Sequence, residues 1–317
     1  MAAIARISHL SKRFDSLRAV DDLSFTVEEG DVYGFLGQNG AGKSTTLRML
    51  LALIRPSGGD IELFGLRLST HRKEILRQVG AVIEQPELYP FFTGLENLRV
   101  FARLSGKPLR RPALLEQLEL VGLATRADDK TGTYSMGMKQ RLGLAVALVH
   151  DPALLILDEP TNGLDPQGIA DMRNLILSLS RDRKKTLIVS SHLLSEVQVL
   201  ATRMLIIDKG RKVVEGSSAE LLNPTDTLVF LEAEDPQGAL ALLRRSPWAK
   251  TLQTPVGASQ TTGHPLVLRL DRGRIPQLNA DLVAMGVRVT RLEPRHSLED
   301  YFLQLTSSAQ HVAPFAH

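Results

Sequence analysis

The chain has 317 residues, 43% of them hydrophobic, with 38 basic and 35 acidic side chains and a net charge of +3. This is enough apolar material for a full core and suggests one large domain plus a smaller one, while so slight a charge gives no strong electrostatic case for nucleic acid. Cysteine is absent, which excludes disulfides and cysteine zinc sites and fits a reducing compartment; no segment reaches the ~18 apolar residues of a membrane span, and Met1 to Arg6 lack a signal-peptide core.

Residues 4–10 and 20–27 read as two strands joined by a polar turn at Asp15 and Ser16, a hairpin expected to lie over the next strand. Phe14 ends the first strand, where it can either stack on a nucleotide base or fill the core. Val32 to Leu36 form an apolar strand, and Ser44 to Leu53 carry helical spacing. Between them lie Gly37, Gln38, Asn39, Gly40, Ala41, Gly42, Lys43, Ser44 and Thr45, the G-x-x-x-x-G-K-S spacing of a phosphate-binding loop in its proper strand-to-helix context. The glycines permit positive φ and let backbone N–H groups ring an anion at a helix N-terminus. Lys43 is expected on the β and γ phosphates of a bound phosphate chain, and the Ser44 hydroxyl on Mg²⁺.

Pro56 to Gly59 read as a turn, Ile61 to Phe64 as a strand, Arg72 to Val79 as a helix and Ala81 to Ile83 as a strand. Gln85, just past that strand, can reach a metal or an attacking water; a lone glutamine there is otherwise a loop residue. Residues 94–125 carry two apolar stripes, Leu95/Leu98/Phe101/Leu104 and Leu114/Leu115/Leu118/Val121, as a helical insert. Leu88, Tyr89, Phe91 and Phe92 are either a partner-facing patch or packing against that insert.

Ser135 reads as the N-cap of a helix running to about His150, with Gly137 in its first turn. Leu154 to Leu157 form a buried strand ending in two carboxylates: Asp158 can hold Mg²⁺, and Glu159 can polarise a water against the γ-phosphate. A tight loop through Asp165 leads into a helix over 167–179, and the strand Lys185 to Ser190 delivers His192 beyond its end. A histidine there is structural when alone, but catalytic when the neighbouring strand ends carry Lys43, Gln85, Asp158 and Glu159.

Taken in order, GQNGAGKST, Gln85, YSMGMKQR, LLILDEP, NGLD and His192 resemble an ATP-binding cassette (ABC) ATPase over about residues 3–222. The wording IEQPELYPFFTGLENL and YSMGMKQRLGLA looks like the exporter branch that includes bacitracin- and lantibiotic-resistance transporters. The resemblance implies an α/β ATPase core with a mixed sheet, an antiparallel subdomain and a helical subdomain. It also implies a homodimer that sandwiches ATP, with the phosphate loop of one subunit covered by Ser135 and Gly137 of the other. In that picture Phe14 stacks on adenine, Gln85 senses Mg²⁺ and the partner, Asp165 works across the dimer, and His192 contacts the γ-phosphate. Tyr134, Met136 and Met138 depart from the family's LSGGQ signature, but Ser135 and the second glycine, Gly137, remain and the site stays competent.

The expected domains are 1–222 for nucleotide binding, with the helical subdomain at about 86–150, then 223–306 for a small α+β accessory domain and 307–317 for a flexible tail. In the accessory domain Gly257 to Gly263 read as a polar loop, and His264 and His296 as isolated surface residues. The leading expectation is an ATP-hydrolysing motor on the inner face of the cell membrane, driving a separately encoded integral membrane permease in the direction of export. The alternative is a soluble ABC ATPase of DNA repair or translation, but the double cassettes, zinc motifs and coiled-coil inserts of those proteins do not appear. A P-loop kinase or GTPase fails on the signature and the Leu157-Asp158-Glu159 set.

Overall fold

In the computed structural model, which describes residues 2–221, 227–253 and 266–296, the contacts divide the chain into two compact units after Ser218. The first unit contains two sheets. Strands β1 (Ala3–Phe14) and β2 (Leu17–Glu28) form the expected hairpin, longer at both ends than the apolar alternation alone suggests, and β3 (Val32–Leu36) leads to helix α1 (Lys43–Leu50). There follow β4 (Gly58–Leu63), β5 (Leu66–Arg67), α2 (Leu68–Leu76), β6 (Val79–Val82), α3 (Gly94–Leu104), α4 (Arg111–Leu120) and α5 (Met136–Leu148). The unit continues with β7 (Leu154–Asp158), α6 (Pro166–Arg181), β8 (Thr186–Ser191), α7 (Leu194–Leu200), β9 (Arg203–Asp208) and β10 (Arg211–Ser217).

An antiparallel sheet runs β2-β1-β4-β5, and a six-stranded mixed sheet runs β10-β9-β3-β8-β7-β6, parallel except for β10. The strands β3, β7 and β8 are buried along their whole length, as their largely apolar sequences require of a sheet covered on both faces. The hairpin joins the mixed sheet through Phe25, whose ring stacks on Tyr33 at 5.6 Å and meets Phe35 at 5.5 Å. Parallel order puts the carboxyl ends of β3, β6, β7 and β8 on one rim, which is where ligands bind in open α/β sheets.

Several boundaries differ from the sequence reading. The helical stretch 94–125, with its two apolar stripes, is two helices and a short 3₁₀ turn (Ala124–Arg126), parted where Gly106 takes φ 76° and Pro108 follows it. The break leaves Leu104 72% exposed, outside the stripe that buries Leu95 and Leu98. The strand expected at 81–83 covers Val79–Val82 and stops before Glu84, which turns the chain at φ 58°. The helix expected at 72–79 lies at Leu68–Leu76, where Leu68 and Ile75 are buried.

The second unit, Ala219 onward, has strands β11 (Thr227–Ala233), β12 (Leu252–Gln253), β13 (Leu266–Leu270) and β14 (Val289–His296), with helices over Pro236–Arg244 and Ile275–Ala284. Its antiparallel order β12-β13-β11-β14 is a split β-α-β arrangement. Trp248 is fully buried there, donates from Nε1 to Asp281 Oδ2 at 2.9 Å and lies 4.6 Å from the Arg274 guanidinium. The loop Gly257 to Gly263, His264, the side chain of His296 and the tail from 307 lie outside the described residues.

Candidate active site

Strand β3 is paired on both edges, by β9 and β8, so its chain can leave only at the sheet rim. There Gly37 passes so close to the backbone that a Cβ would stand 2.6 Å from the Ile207 carbonyl oxygen. Gly42 caps α1 at φ 103°, where a Cβ would stand 2.4 Å from the Ala19 carbonyl oxygen. Neither position tolerates a side chain, and the loop opens the free N–H groups of α1 toward its hollow. Lys43 starts the helix and is only 5% exposed; its Nζ donates to the carbonyls of Gly37 at 2.6 Å and Gln38 at 3.1 Å.

Two strand positions away, β7 delivers the carboxylates. Asp158 is fully buried, and its Oδ1 accepts from Ser190 Oγ at 2.6 Å, while Oδ2 has no hydrogen-bond partner among the described residues. The same Ser190 hydroxyl accepts from the Glu159 N–H at 2.8 Å. Glu159 itself adopts φ 49°, which turns it out of the strand. Its Oε2 lies 2.8 Å from His192 Nδ1 and its Oε1 lies 3.1 Å from Lys43 Nζ. The phosphate-loop lysine, the proposed base and the histidine therefore form one continuous chain of polar contacts.

Ser44, Gln85, Asp158 and Glu159 line a single cavity. An unpartnered buried carboxylate oxygen beside a hydroxyl and an amide is a hard-oxygen donor set that fits Mg²⁺. Among the described residues no three His, Cys, Asp or Glu are placed to hold a metal ion by themselves. Ser44, Asp158 and Gln85 are the residues that would hold it.

Ser135, Gly137 and Asp165 line a different cavity, which contains none of the phosphate-loop residues. Ser135 caps α5, accepting from the Met138 N–H at 3.3 Å, and Asp165 caps α6, accepting from the Gly168 N–H at 3.1 Å. Tyr134, at the place of the signature's leucine, is buried and donates to the Arg126 carbonyl at 2.5 Å. Burial pushes its phenol above the ordinary range, so it stays a neutral donor. Phe14 is 44% exposed with Lys12 Nζ 4.8 Å from its ring centre, so the core-filling alternative does not hold. Leu88 packs on the helical cluster, whereas Tyr89 and Phe92 are half exposed and Phe91 is 83% exposed.

Sequence reading missed Ser190, which holds the Asp158 carboxylate and the Glu159 backbone N–H, and also Thr161, Ser191 and Glu196, which meet one another through hydrogen bonds. The one local signal was a Ser-Ser pair closing an otherwise apolar strand.

The family model described as ABC transporter matches residues 20–162. The chain is 40% identical over 307 residues to the bacitracin transport ATP-binding protein BcrA of Bacillus licheniformis, covering 96% of this chain and 98% of that one. It is 38% identical over 305 residues to the Nod factor export ATP-binding protein I of Burkholderia lata, covering 94% and 95%. Among solved structures, cbiO1 from Clostridium perfringens, part of the ABC transporter complex cbiONQ, superimposes with a TM-score of 0.63 at 26% identity over 69% of this chain and 90% of that one.

Proposed function

This chain belongs to the ABC transporter family as an ATP-binding, ATP-hydrolysing subunit, and on that premise we propose how its residues do the work. ATP sits with its phosphates on Gly37 to Thr45, Lys43 bears on the β and γ phosphates, and the base stacks on Phe14. Bound Mg²⁺ supplies charge neutralisation to the phosphate oxygens, held by Ser44, Asp158 and Gln85. Glu159 accepts the proton of the attacking water as the bond to the γ-phosphorus forms and the β–γ bridge bond breaks, leaving ADP and phosphate. His192, on Glu159 Oε2, keeps that carboxylate aimed and contacts the γ-phosphate.

Two copies complete the site. Ser135, Gly137 and Asp165 of one cover the ATP of the other, and closure followed by hydrolytic release drives a separate integral membrane permease, with export as the direction. No helix among the described residues is long and apolar enough to cross a membrane, and docking on the inner membrane face follows from that partnership. The exposed Tyr89, Phe91 and Phe92 offer apolar surface for it.

The observation that carries this reading is the convergence of Lys43, Asp158, Glu159 and His192 at neighbouring strand ends, with Ser135 and Gly137 in a separate cavity of the same chain. The test is light scattering of Glu159→Gln with Mg²⁺ and ATP. A stable dimer is expected, and a chain that stays monomeric under every nucleotide overturns the two-copy site.

A further inference from the structure

Beneath the catalytic rim, one carboxylate oxygen joins the two loops that carry Glu159 and His192. Glu196, buried in the first turn of α7, accepts through Oε2 from Thr161 Oγ1 at 2.6 Å and from Ser191 Oγ at 3.0 Å. Thr161 stands two residues after Glu159, and Ser191 stands one before His192. All three side chains are buried.

The Ser191 hydroxyl, its proton committed to Glu196, turns a lone pair to the Leu193 N–H at 3.0 Å. That bond straddles His192 and fixes the peptide on either side of it. On the other loop, Thr161 follows Pro160, whose ring locks its own φ and so leaves few torsions between the anchored hydroxyl and Glu159. A single acceptor therefore sets the relative position of two residues whose side chains must meet at 2.8 Å.

We propose that Glu196 is a positioning residue for ATP hydrolysis, holding the His192 loop against the Glu159 loop through Ser191 and Thr161. This rests on the ATPase reading of the site above. The role belongs to the acceptor oxygen: a glutamine amide oxygen has two lone pairs and can take both hydroxyls.

The experiment measures steady-state ATPase on the full chain with Mg²⁺-ATP, and ATP affinity by equilibrium binding. Glu196→Ala is expected to lower kcat about tenfold with ATP affinity held within about twofold, whereas Glu196→Gln stays within about threefold of wild type. In a His192→Ala background, Glu196→Ala is expected to change kcat by less than about twofold, because its effect passes through the histidine. Should Glu196→Ala fail to fold, Thr161→Val removes one donor with little change of shape and is expected to show the same split between kcat and affinity. Unchanged kcat in the folded variant, an equal loss in both backgrounds, or a glutamine variant as impaired as the alanine one overturns the proposal. A wild-type chain without ATPase, or Glu159→Gln turning over normally, overturns the site reading instead; an active wild type with a dead Glu159→Gln and an unaffected Glu196→Ala overturns only the role of Glu196.

Discussion

Lys43 Nζ and Glu159 Oε1 are 3.1 Å apart in a nearly buried ion pair that is not aligned as a hydrogen bond. The residue proposed to grip phosphate and the residue proposed to activate water hold each other, so a polyphosphate competes with the carboxylate for the ammonium. Glu159→Gln removes that competitor and a negative charge facing the γ-phosphate. Turnover is expected to fall by about 10²–10⁴, the usual share of a general base, while ATP binds at least as tightly as to wild type. Phosphate release and fluorescence titration check both halves, and near-normal turnover takes Glu159 out of the base role.

Lys43→Ala loses the charge on the phosphates. One charge-assisted contact of about 1.5–3 kcal/mol corresponds to roughly 10–150-fold weaker ATP binding. Isothermal titration reads this directly, and unchanged affinity counts against the phosphate-loop assignment.

Asp158 Oδ2 has no hydrogen-bond partner among the described residues while its sister oxygen is held by Ser190, so hydrolysis is expected to depend on a divalent cation. Chelating Mg²⁺ should abolish turnover and leave some nucleotide binding. Asp158→Asn should raise the Mg²⁺ concentration needed for half-maximal rate, and a rate indifferent to chelator rules the ion out.

Tyr134 and Gly94 are matched. A Cβ on Gly94 would stand 2.4 Å from the Tyr134 hydroxyl oxygen, which is already committed to the Arg126 carbonyl. Gly94→Ala is expected to destabilise the fold by about 1–3 kcal/mol, the usual range for overpacking, and by clearly less in a Tyr134→Phe background. Urea denaturation of the four proteins closes the cycle; additive effects mean the two residues are independent.

His150 supplies a pH dependence. Burial lowers its basicity below the ordinary histidine range, with the contact from Nε2 to the Val79 carbonyl at 3.1 Å opposing in part. With Nε2 donating, Nδ1 is the bare ring nitrogen and has no partner among the described residues, so a second proton would arrive at a buried atom without an acceptor. The unfolded chain takes that proton first, near pH ~6.5. Stability from this group is therefore complete above ~6.5 and declines as pH falls from there toward the lower folded value. His150→Gln, which keeps a donor for Val79 and does not titrate, should flatten the fall in urea midpoint between neutral and mildly acidic pH; an unchanged slope assigns it to other groups.

The motifs were legible because each packs its chemistry into a few consecutive residues at a strand end. The phosphate loop, Asp158-Glu159 and His192 announce themselves by residue type and by the apolar runs before them. Ser190, Thr161 and Glu196 do not: the links from Ser190 to Asp158 and Glu159 and from Thr161 to Glu196 span 31 to 35 residues, and the pairing of β7 with β8 brings them together. In the helical insert at 94–125 the two apolar stripes were legible, and they fall on two helices parted at Gly106 and Pro108. Tyr134 was visible as a departure from the signature, but its fit beneath Gly94 depends on a contact across the helical subdomain.

Strand β8 lies between β3 and β7. The tips bearing the phosphate cradle and the acidic pair are thus two strand widths apart, about 10 Å at the spacing of a pleated sheet. That gauge is ruled by main-chain bonding, so drift in the surrounding side chains leaves it as it is. Descendants of this chain can retune speed or partner through their loops while inheriting the same span, much as a lathe keeps its bed when the cutting tools are changed.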